Sequence, residues 1–458
     1  MMKRLIPILA VALVALACKP AEKPAEEPKP TDISAWEGII INEIAAHDQD
    51  PDAASWIEIL NSSDREISLE GLSVLITDDY FTDQSLWDAP AGAKLAAGER
   101  LVLSSDDDEG GLRTGISSES EFVLKLAVED GTCVDIFDRD EVFADGDAAY
   151  PRGSYQRIPD GWDTWRNLTY SSRNRENKIF SLDDYKHTAI WTWSSHVAGL
   201  SENDFEKLKE FKRLGYDHIL LNYVAFESVS ALRSTIPFLD KCEELGIAVH
   251  CWMQCFYNGD WESPIDDEKK AYKEEVYERI RTQCRDYIET WGVKGVHLDY
   301  IRFGGTASKH DINYEVNSVG AVNRCCREIR EITDSFDEGL VTSAALMPDV
   351  NSQQYYGQIP YQMAQYIHIL MPMIYRYGSY NFSDEGFKNR SNYFAEQAAK
   401  KDGVSWSGIQ TYNAANKGMT AEELRRDIDL MTETKAEGIV LFRYQLGTFP
   451  DINDIYKR

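Results

Sequence analysis

The stretch Gly295-Val296-His297-Leu298-Asp299-Tyr300-Ile301-Arg302-Phe303 decides how this chain is read. A helical pattern ends in Tyr287-Ile288-Glu289-Thr290-Trp291, Gly292 supplies the stop, and the apolar run that follows has the length and polar interruptions of a buried strand. That strand delivers a carboxylate, Asp299, to its own C-terminal end, the place where barrel enzymes keep their chemistry. The competing reading is a structural ion pair between Asp299 and Arg302.

Working outward, the pattern from residue 187 alternates strands with helices, which predicts a parallel sheet with crossover helices. Strands are expected at 187–193, 217–223, 248–256, 295–301, 340–346, 366–375, 404–411 and 438–444, with helices at 202–214, 228–245, 269–291, 316–333 and 421–435. Eight strands in about 270 residues predict a closed α/β barrel of the TIM (β/α)8 type over residues 187–458. An open nucleotide-binding sheet would carry a Gly-rich loop after its first strand, and Trp191-Thr192-Trp193-Ser194 is followed by none.

Residues 36–177 read differently, as short alternating segments punctuated by Gly, Asp and Ser, which is an all-β signature. Segments 39–44, 56–61, 101–103, 122–126 and 133–136 are the clearest strands, with Trp56 and Leu60 as expected core anchors. Glu43 and Glu58 are expected to be buried hydrogen-bond partners, because no convergent set of catalytic residue types surrounds them. Ile41-Asn42-Glu43-Ile44, Trp56-Ile57-Glu58-Ile59-Leu60-Asn61, Leu69-Glu70-Gly71-Leu72 and Ala97-Gly98-Glu99-Arg100-Leu101-Val102-Leu103 resemble the lamin tail domain. The resemblance implies an immunoglobulin-like sandwich that serves as a binding or spacing module.

The C-terminal ends of the barrel strands gather Trp191, Trp193, His196, Asn222, Tyr223, Gln254, Tyr257, Trp261, Arg302, Tyr375, Arg376, Gln410, Tyr412, Arg443 and Tyr444. Aromatic faces pack on the apolar faces of sugar rings while amides, carboxylates and guanidinium groups bind hydroxyls, so their coincidence at one rim points to a glycan. The stretch 295–303, with Met371-Pro372-Met373-Ile374-Tyr375 and Gly408-Ile409-Gln410, resembles the family-10-like glycoside hydrolases over most of residues 187–458. That resemblance implies a glycan-cleaving barrel with Asp299 catalytic. The family motif often continues into Pro, whereas Gly304-Gly305 follows Phe303 here. Glycoside hydrolysis needs two carboxyl groups, and Asp349 at the end of the fifth strand is the first choice of partner, with Glu227 and Asp260 as alternates. Arg302 is expected to favour the ionised form of Asp299, and Met347 and Pro348 to keep Asp349 protonated. Two other functions compete: a barrel that binds glycan without cleaving it, and an envelope-structural protein acting through the sandwich.

No cofactor is expected. The chain has no His-x-His or His-Glu-x-x-His spacing for a metal, and no Gly-x-Ser-x-Gly elbow for a serine nucleophile. His250, His297 and His368 sit among apolar neighbours and read as hydrogen-bonded barrel lining. A formal charge of −29 repels polyanions and argues against nucleic acid as a partner, although local arginines could hold an acidic sugar.

Residues 1–17 carry Lys3 and Arg4 and then a short apolar run, the pattern of a secretory signal. The segment Val14-Ala15-Leu16-Ala17-Cys18 resembles the lipobox of bacterial lipoproteins, which implies lipidation of Cys18 and attachment to the envelope membrane. The Pro, Glu and Lys residues up to about position 35 read as an extended tether. Seven cysteines remain, most of them read as buried thiols. Cys18→Ser should therefore release the protein from the membrane fraction with its soluble activity unchanged, as checked by fractionation and immunoblot.

Overall fold

The computed structural model describes residues 31–47, 54–77, 82–107, 110–118, 121–143, 147–197, 201–227, 229–336 and 338–456. The signal, Cys18 and the tether up to residue 30 lie outside the described residues.

Eight parallel strands close into a barrel in sequence order: β1 (Thr188–Thr192), β2 (His218–Asn222), β3 (Ala248–Gln254), β4 (Gly295–Asp299), β5 (Val341–Leu346), β6 (Ile369–Pro372), β7 (Val404–Gln410) and β8 (Gly438–Phe442). Closure comes from β8 pairing back on β1 through Thr188↔Ile439, Ala189↔Val440 and Ile190↔Leu441. All five residues of β4 are buried, because strands covered on both faces lose the alternation seen on a one-sided sheet. Each of the eight expected strands is present.

Between the strands run α1 (Glu202–Arg213), α2 (Val229–Glu244), α3 (Glu274–Trp291), α4 (Ser318–Ser335), α5 (Asp384–Ala398) and α6 (Ala421–Thr432). Helix α3 buries Val276, Tyr277, Ile280, Cys284, Tyr287, Ile288 and Trp291, spaced so that one stripe faces the strands. It ends at Gly292, whose left-handed φ of 60° a side chain would strain. The helix starts five residues later than expected, because Ile265–Asp266 and Ala271–Tyr272 pair into a small antiparallel ribbon first. The β5–β6 connection carries only the short helices Ser352–Tyr356 and Pro360–Met363, and no helix follows β8 among the described residues. Cys242, Cys251, Cys255, Cys284, Cys325 and Cys326 are buried free thiols.

The N-terminal region forms two antiparallel sheets around a separate apolar core. One has the order Trp165–Leu168, Ser154–Arg157, Ile39–Ala45, Trp56–Asn61, Arg100–Ser104, and the other Asp83–Asp88, Leu72–Thr77, Val123–Val128, Cys133–Asp138. Ile57 and Ile59, rather than Trp56 and Leu60, fill that core. Side chains alternate faces along a strand, so Trp56, Glu58 and Leu60 share the other face, which is also buried. The ordered chain begins before residue 36: the Thr31 amide and hydroxyl donate to Asp130 Oδ2 at 3.0 and 2.6 Å.

That second face is covered by the segment leading to the barrel. Glu43 Oε1 accepts from Ser154 Oγ (2.6 Å) and Ser172 N (2.8 Å), and Glu58 Oε1 and Oε2 accept from Asn42 Nδ2 (3.0 Å) and Asn174 N (2.8 Å). Both carboxyls are therefore hydrogen-bonded core groups, as expected. Beyond them, the Thr169 amide and hydroxyl donate to Glu338 at 3.0 and 2.6 Å, and Lys294 Nζ lies 3.1 Å from the centre of the Tyr170 ring. Gly292, Lys294 and Glu338 all precede barrel strands, so the sandwich is docked on the N-terminal face of the barrel.

The Ser172 hydroxyl faces three acceptors, Glu43 Oε2 (2.9 Å), Gln156 Oε1 (3.0 Å) and Asn177 Oδ1 (2.6 Å), with one proton to give. A neutral Glu43 carboxyl would supply one further proton to this cluster, in line with burial pushing its pKa up to about 8. Between about pH 4.5 and about 8 the folded state then holds a proton that the unfolded chain has lost, so this group's contribution to stability falls as pH rises through that window. Glu43→Gln, which keeps the same donor and acceptors, should flatten this part of the slope. Melting temperatures of both proteins across pH 5 to 8.5 check it, and equal slopes would refute a neutral Glu43.

Candidate active site at the barrel rim

Strand β4 carries Asp299 to the C-terminal mouth, opposite the sandwich. Its backbone is fixed from the β3 side: Gln254 is its register partner, and Cys255 N donates to its carbonyl at 2.9 Å. Trp252 Nε1 donates to Asp299 Oδ2 at 3.0 Å, and Tyr300 N donates to Oδ1 at 2.7 Å. Tyr300 is left-handed with φ 50°, a conformation that costs a non-glycine residue energy and recurs at functional sites. Asp299 is only 9% exposed, and burial is the largest influence on its carboxyl, raising the pKa above the ordinary aspartate value. The two N–H donors and, last, Arg302 act in the opposite direction without reversing it. The expectation that Arg302 holds Asp299 ionised is thus corrected.

Arg302 forms no ion pair with Asp299. Its guanidinium instead lies over Trp261 (4.7 Å), Tyr300 (5.5 Å) and Tyr356 (5.5 Å), with Nη1 donating to Phe303 O at 3.4 Å. Tyr257 and Trp261 pack on Tyr300 with ring centres 4.7 and 5.4 Å away, which makes one continuous aromatic wall. Gly304 is required there, since a Cβ on it would meet the Trp261 indole at 2.8 Å. Asp349, half-buried, accepts at Oδ2 from Tyr380 OH at 2.9 Å and acts electrostatically on Tyr356, one of the rings under Arg302. Arg302 acts electrostatically on Asp299 and also on Tyr356 and Tyr380, the neighbours of Asp349, so one cation links the surroundings of the two carboxyls.

A second wall comes from β1, β3, β6 and β8. Trp193 packs on Trp252 (4.7 Å) and edge-on to Phe442 (6.2 Å), and Tyr375 stacks on Phe442 at 5.6 Å. Trp252, Tyr300, Tyr356, Tyr380 and Phe442 are site residues that the strand-end reading did not select. Trp252 was within reach of it, two positions before Gln254 and therefore on the same face.

Five expected positions have partners of their own. Trp191 is 2% exposed and points into the barrel, donating to His297 Nε2 at 3.0 Å; His297 Nδ1 meets Ser343 Oγ at 2.9 Å. It is part of the floor, with no open face for a sugar. Gln410 is spent on the loops, accepting from Tyr377 N (3.0 Å) and donating to Tyr412 O (2.7 Å). Glu227 is held on α3 by Tyr287 OH (2.6 Å) and Gln283 Nε2 (3.2 Å), and Asp260 is exposed, accepting from Trp261 N at 2.7 Å. Both alternates are thus engaged by neighbours on their own loops and on α3. Asn222 caps the turn after β2 through Val224 N (3.3 Å), whereas the Gln254 amide makes no hydrogen bond among the described residues.

His250 is buried in the barrel, its Nε2 bonded to His218 Nδ1 at 3.0 Å, whereas His368, half-buried just before β6, accepts from the Thr342 amide at 3.0 Å and does not line the interior as expected. Burial lowers the pKa of His250 and His297 to about 3 and of His368 to about 4. Among the described residues no three His, Cys, Asp or Glu side chains cluster as metal ligands.

No family model and no curated protein matches the chain. Among solved structures it is similar to the glycoside hydrolase domain of PgaB (BpsB) from Bordetella bronchiseptica, at 10% identity and TM-score 0.39, covering 56% of this chain and 93% of that one. It is also similar to a β-glucuronidase from Bacteroides uniformis (11% identity, TM-score 0.39, 89% of this chain and 47% of that one). A chitinase from Chromobacterium violaceum is similar at 10% identity and TM-score 0.38, with 57% of this chain and 95% of that chain covered. The chain spans about half the length of the β-glucuronidase and nearly all of the other two.

Proposed function

We propose that this protein is a glycoside hydrolase of the (β/α)8 class, carried on an immunoglobulin-like, lamin-tail-type sandwich and tethered to the bacterial envelope through Cys18. The observation that carries the reading is Asp299: a carboxyl buried at the C-terminal end of β4, held by two N–H donors, with its pKa raised. Walls of aromatic rings and a second carboxyl at the end of β5 accompany it. A glycosidic oxygen needs a proton as it leaves, and burial shifts the Asp299 carboxyl toward the protonated form that can give one. On that ground, and on its place at the strand end, the general-acid role is assigned to Asp299. Asp349, half-buried and bonded to Tyr380, is the second carboxyl, acting on the anomeric carbon as nucleophile or through a water as base. Trp193, Tyr257, Trp261 and Tyr375 offer ring faces to the sugar, and Gln254 offers a free amide.

Asp299→Asn should lower hydrolysis of unactivated glycans by about a hundredfold or more, the usual worth of a general acid, while sparing aryl glycosides whose leaving group needs no proton. Asp349→Asn should depress both substrate types alike. Trp252→Phe removes an N–H that favours the carboxylate, so the upper pKa of the pH–rate profile should move further up. Steady-state kinetics on a glycan panel and on nitrophenyl glycosides tests all three. An unchanged Asp299→Asn enzyme overturns the mechanism, and glycan binding by a wild-type protein that cleaves nothing would favour the binding-only reading.

A further inference from the structure

The rim holds a second cation with a different environment from Arg302. Arginines in this acidic chain are generally paired with carboxylates, as Arg157, Arg281, Arg324, Arg376 and Arg425 are. Arg443, which follows β8, is half-buried, and its guanidinium has no hydrogen bond or ion pair among the described residues. Its backbone is fixed by Thr411 Oγ1, which accepts from Arg443 N at 2.9 Å, so the side chain is presented from a held position.

The groups on which Arg443 acts are neutral ones. On one side is Tyr412, after β7, whose ring centre is 6.4 Å from that of Phe442 in the aromatic wall. On the other is His196, after β1, packed edge-on to Tyr444 at 5.7 Å. His196 Nδ1 is buried and has no hydrogen-bond partner. The charged groups shaping His196 are Arg443 and Lys207, both cations, and together with burial they keep its imidazole below the ordinary histidine pKa. Lys207 is paired with Asp204 at 2.9 Å, so the cation left without a partner at this corner of the mouth is Arg443, next in sequence to the Tyr444 ring on which His196 packs.

We propose that Arg443 and His196 form an anion subsite that takes a charged substituent, a carboxylate or a sulfate ester, on a sugar bound at the rim. The inference rests on the glycosidase reading only for the word sugar. A fork of N–H donors matches either anion, and the overall negative charge disfavours a polyanion while a single charge seated against Arg443 is compensated locally. The glycan acted on therefore carries isolated acidic residues in a largely neutral chain.

The test titrates the full chain with D-glucuronate, D-glucose 6-sulfate and D-glucose, followed by the histidine resonances and by calorimetry. At least one anionic sugar should bind on the order of tenfold more tightly than glucose, the scale of a charge-assisted contact. Its binding should raise the titration midpoint of His196, because an anion stabilises the imidazolium. Which of the two binds identifies the substituent. Arg443→Gln should abolish the preference and the His196 shift, and Arg443→Lys, which keeps the charge without the fork, should retain part of both. Equal binding of all three sugars by the wild type, or a preference that survives in Arg443→Gln, overturns the subsite. A hydrolysis screen is read separately: cleavage of glycans with no anionic preference sinks the subsite alone, and anionic preference with no cleavage of any glycan sinks the hydrolase alone.

Discussion

The pairing of β8 with β1 is the constraint on which the rest depends. Once Thr188, Ala189 and Ile190 meet Ile439, Val440 and Leu441, the eight strands have no free edge, and the parity of each strand is locked to that of its neighbours. Parity then sorts the side chains. Trp191, His297 and Ser343 become a bonded chain across the interior, while Trp252 and Asp299 rise above it to the mouth. The close register leaves no room for a side chain at Gly295, where a Cβ would meet His250 Nδ1 at 2.5 Å. The floor beneath Asp299 is therefore closely packed, and such a support is what the proposed general acid would need to be held in productive geometry.

The same closure explains the division of labour between the two ends of the barrel. The N-terminal face is sealed against the sandwich through Thr169 and Glu338 and through Lys294 on Tyr170. A cavity of about 280 Å³ at this junction is lined by Arg175, Glu243, Lys178 and Asp184, whose charges are already paired with one another. The C-terminal mouth differs in kind: Arg376 is paired with Asp427, but Arg302 and Arg443 form no ion pair among the described residues, and the Asp299 carboxyl is held away from water. Unsatisfied charge at one end and satisfied charge at the other is the physical contrast that locates the site.

Burial sets the electrostatic roles. Proximity in sequence suggested that Arg302 would dominate Asp299, but the guanidinium is drawn onto three aromatic faces and the carboxyl is left to desolvation. The roles first expected of the two carboxyls are accordingly exchanged in the mechanism proposed here. At Glu43 the same desolvation acts for structure, keeping a proton in a buried network that fastens the sandwich to the segment leading into the barrel.

The sequence by itself determined the eight barrel strands, the all-β region before them, the position of Asp299 at a strand end and the burial of most of the cysteines, Cys133 being half-buried. Each follows from local signals: apolar runs of strand length, helical stripes ended by glycine, and turn residues between short alternating segments. Only the tertiary structure decided which face a residue serves. Trp56 reads as a core anchor yet lies opposite the apolar core, Trp191 reads as a sugar platform yet is the floor, and Gln410 and Glu227 are consumed by neighbours 33 and 60 positions away in sequence. The reason is that strand position fixes a side chain only to within the two faces of the pleat. The choice between them, and the partners and desolvation that follow from it, comes from elements brought together by folding.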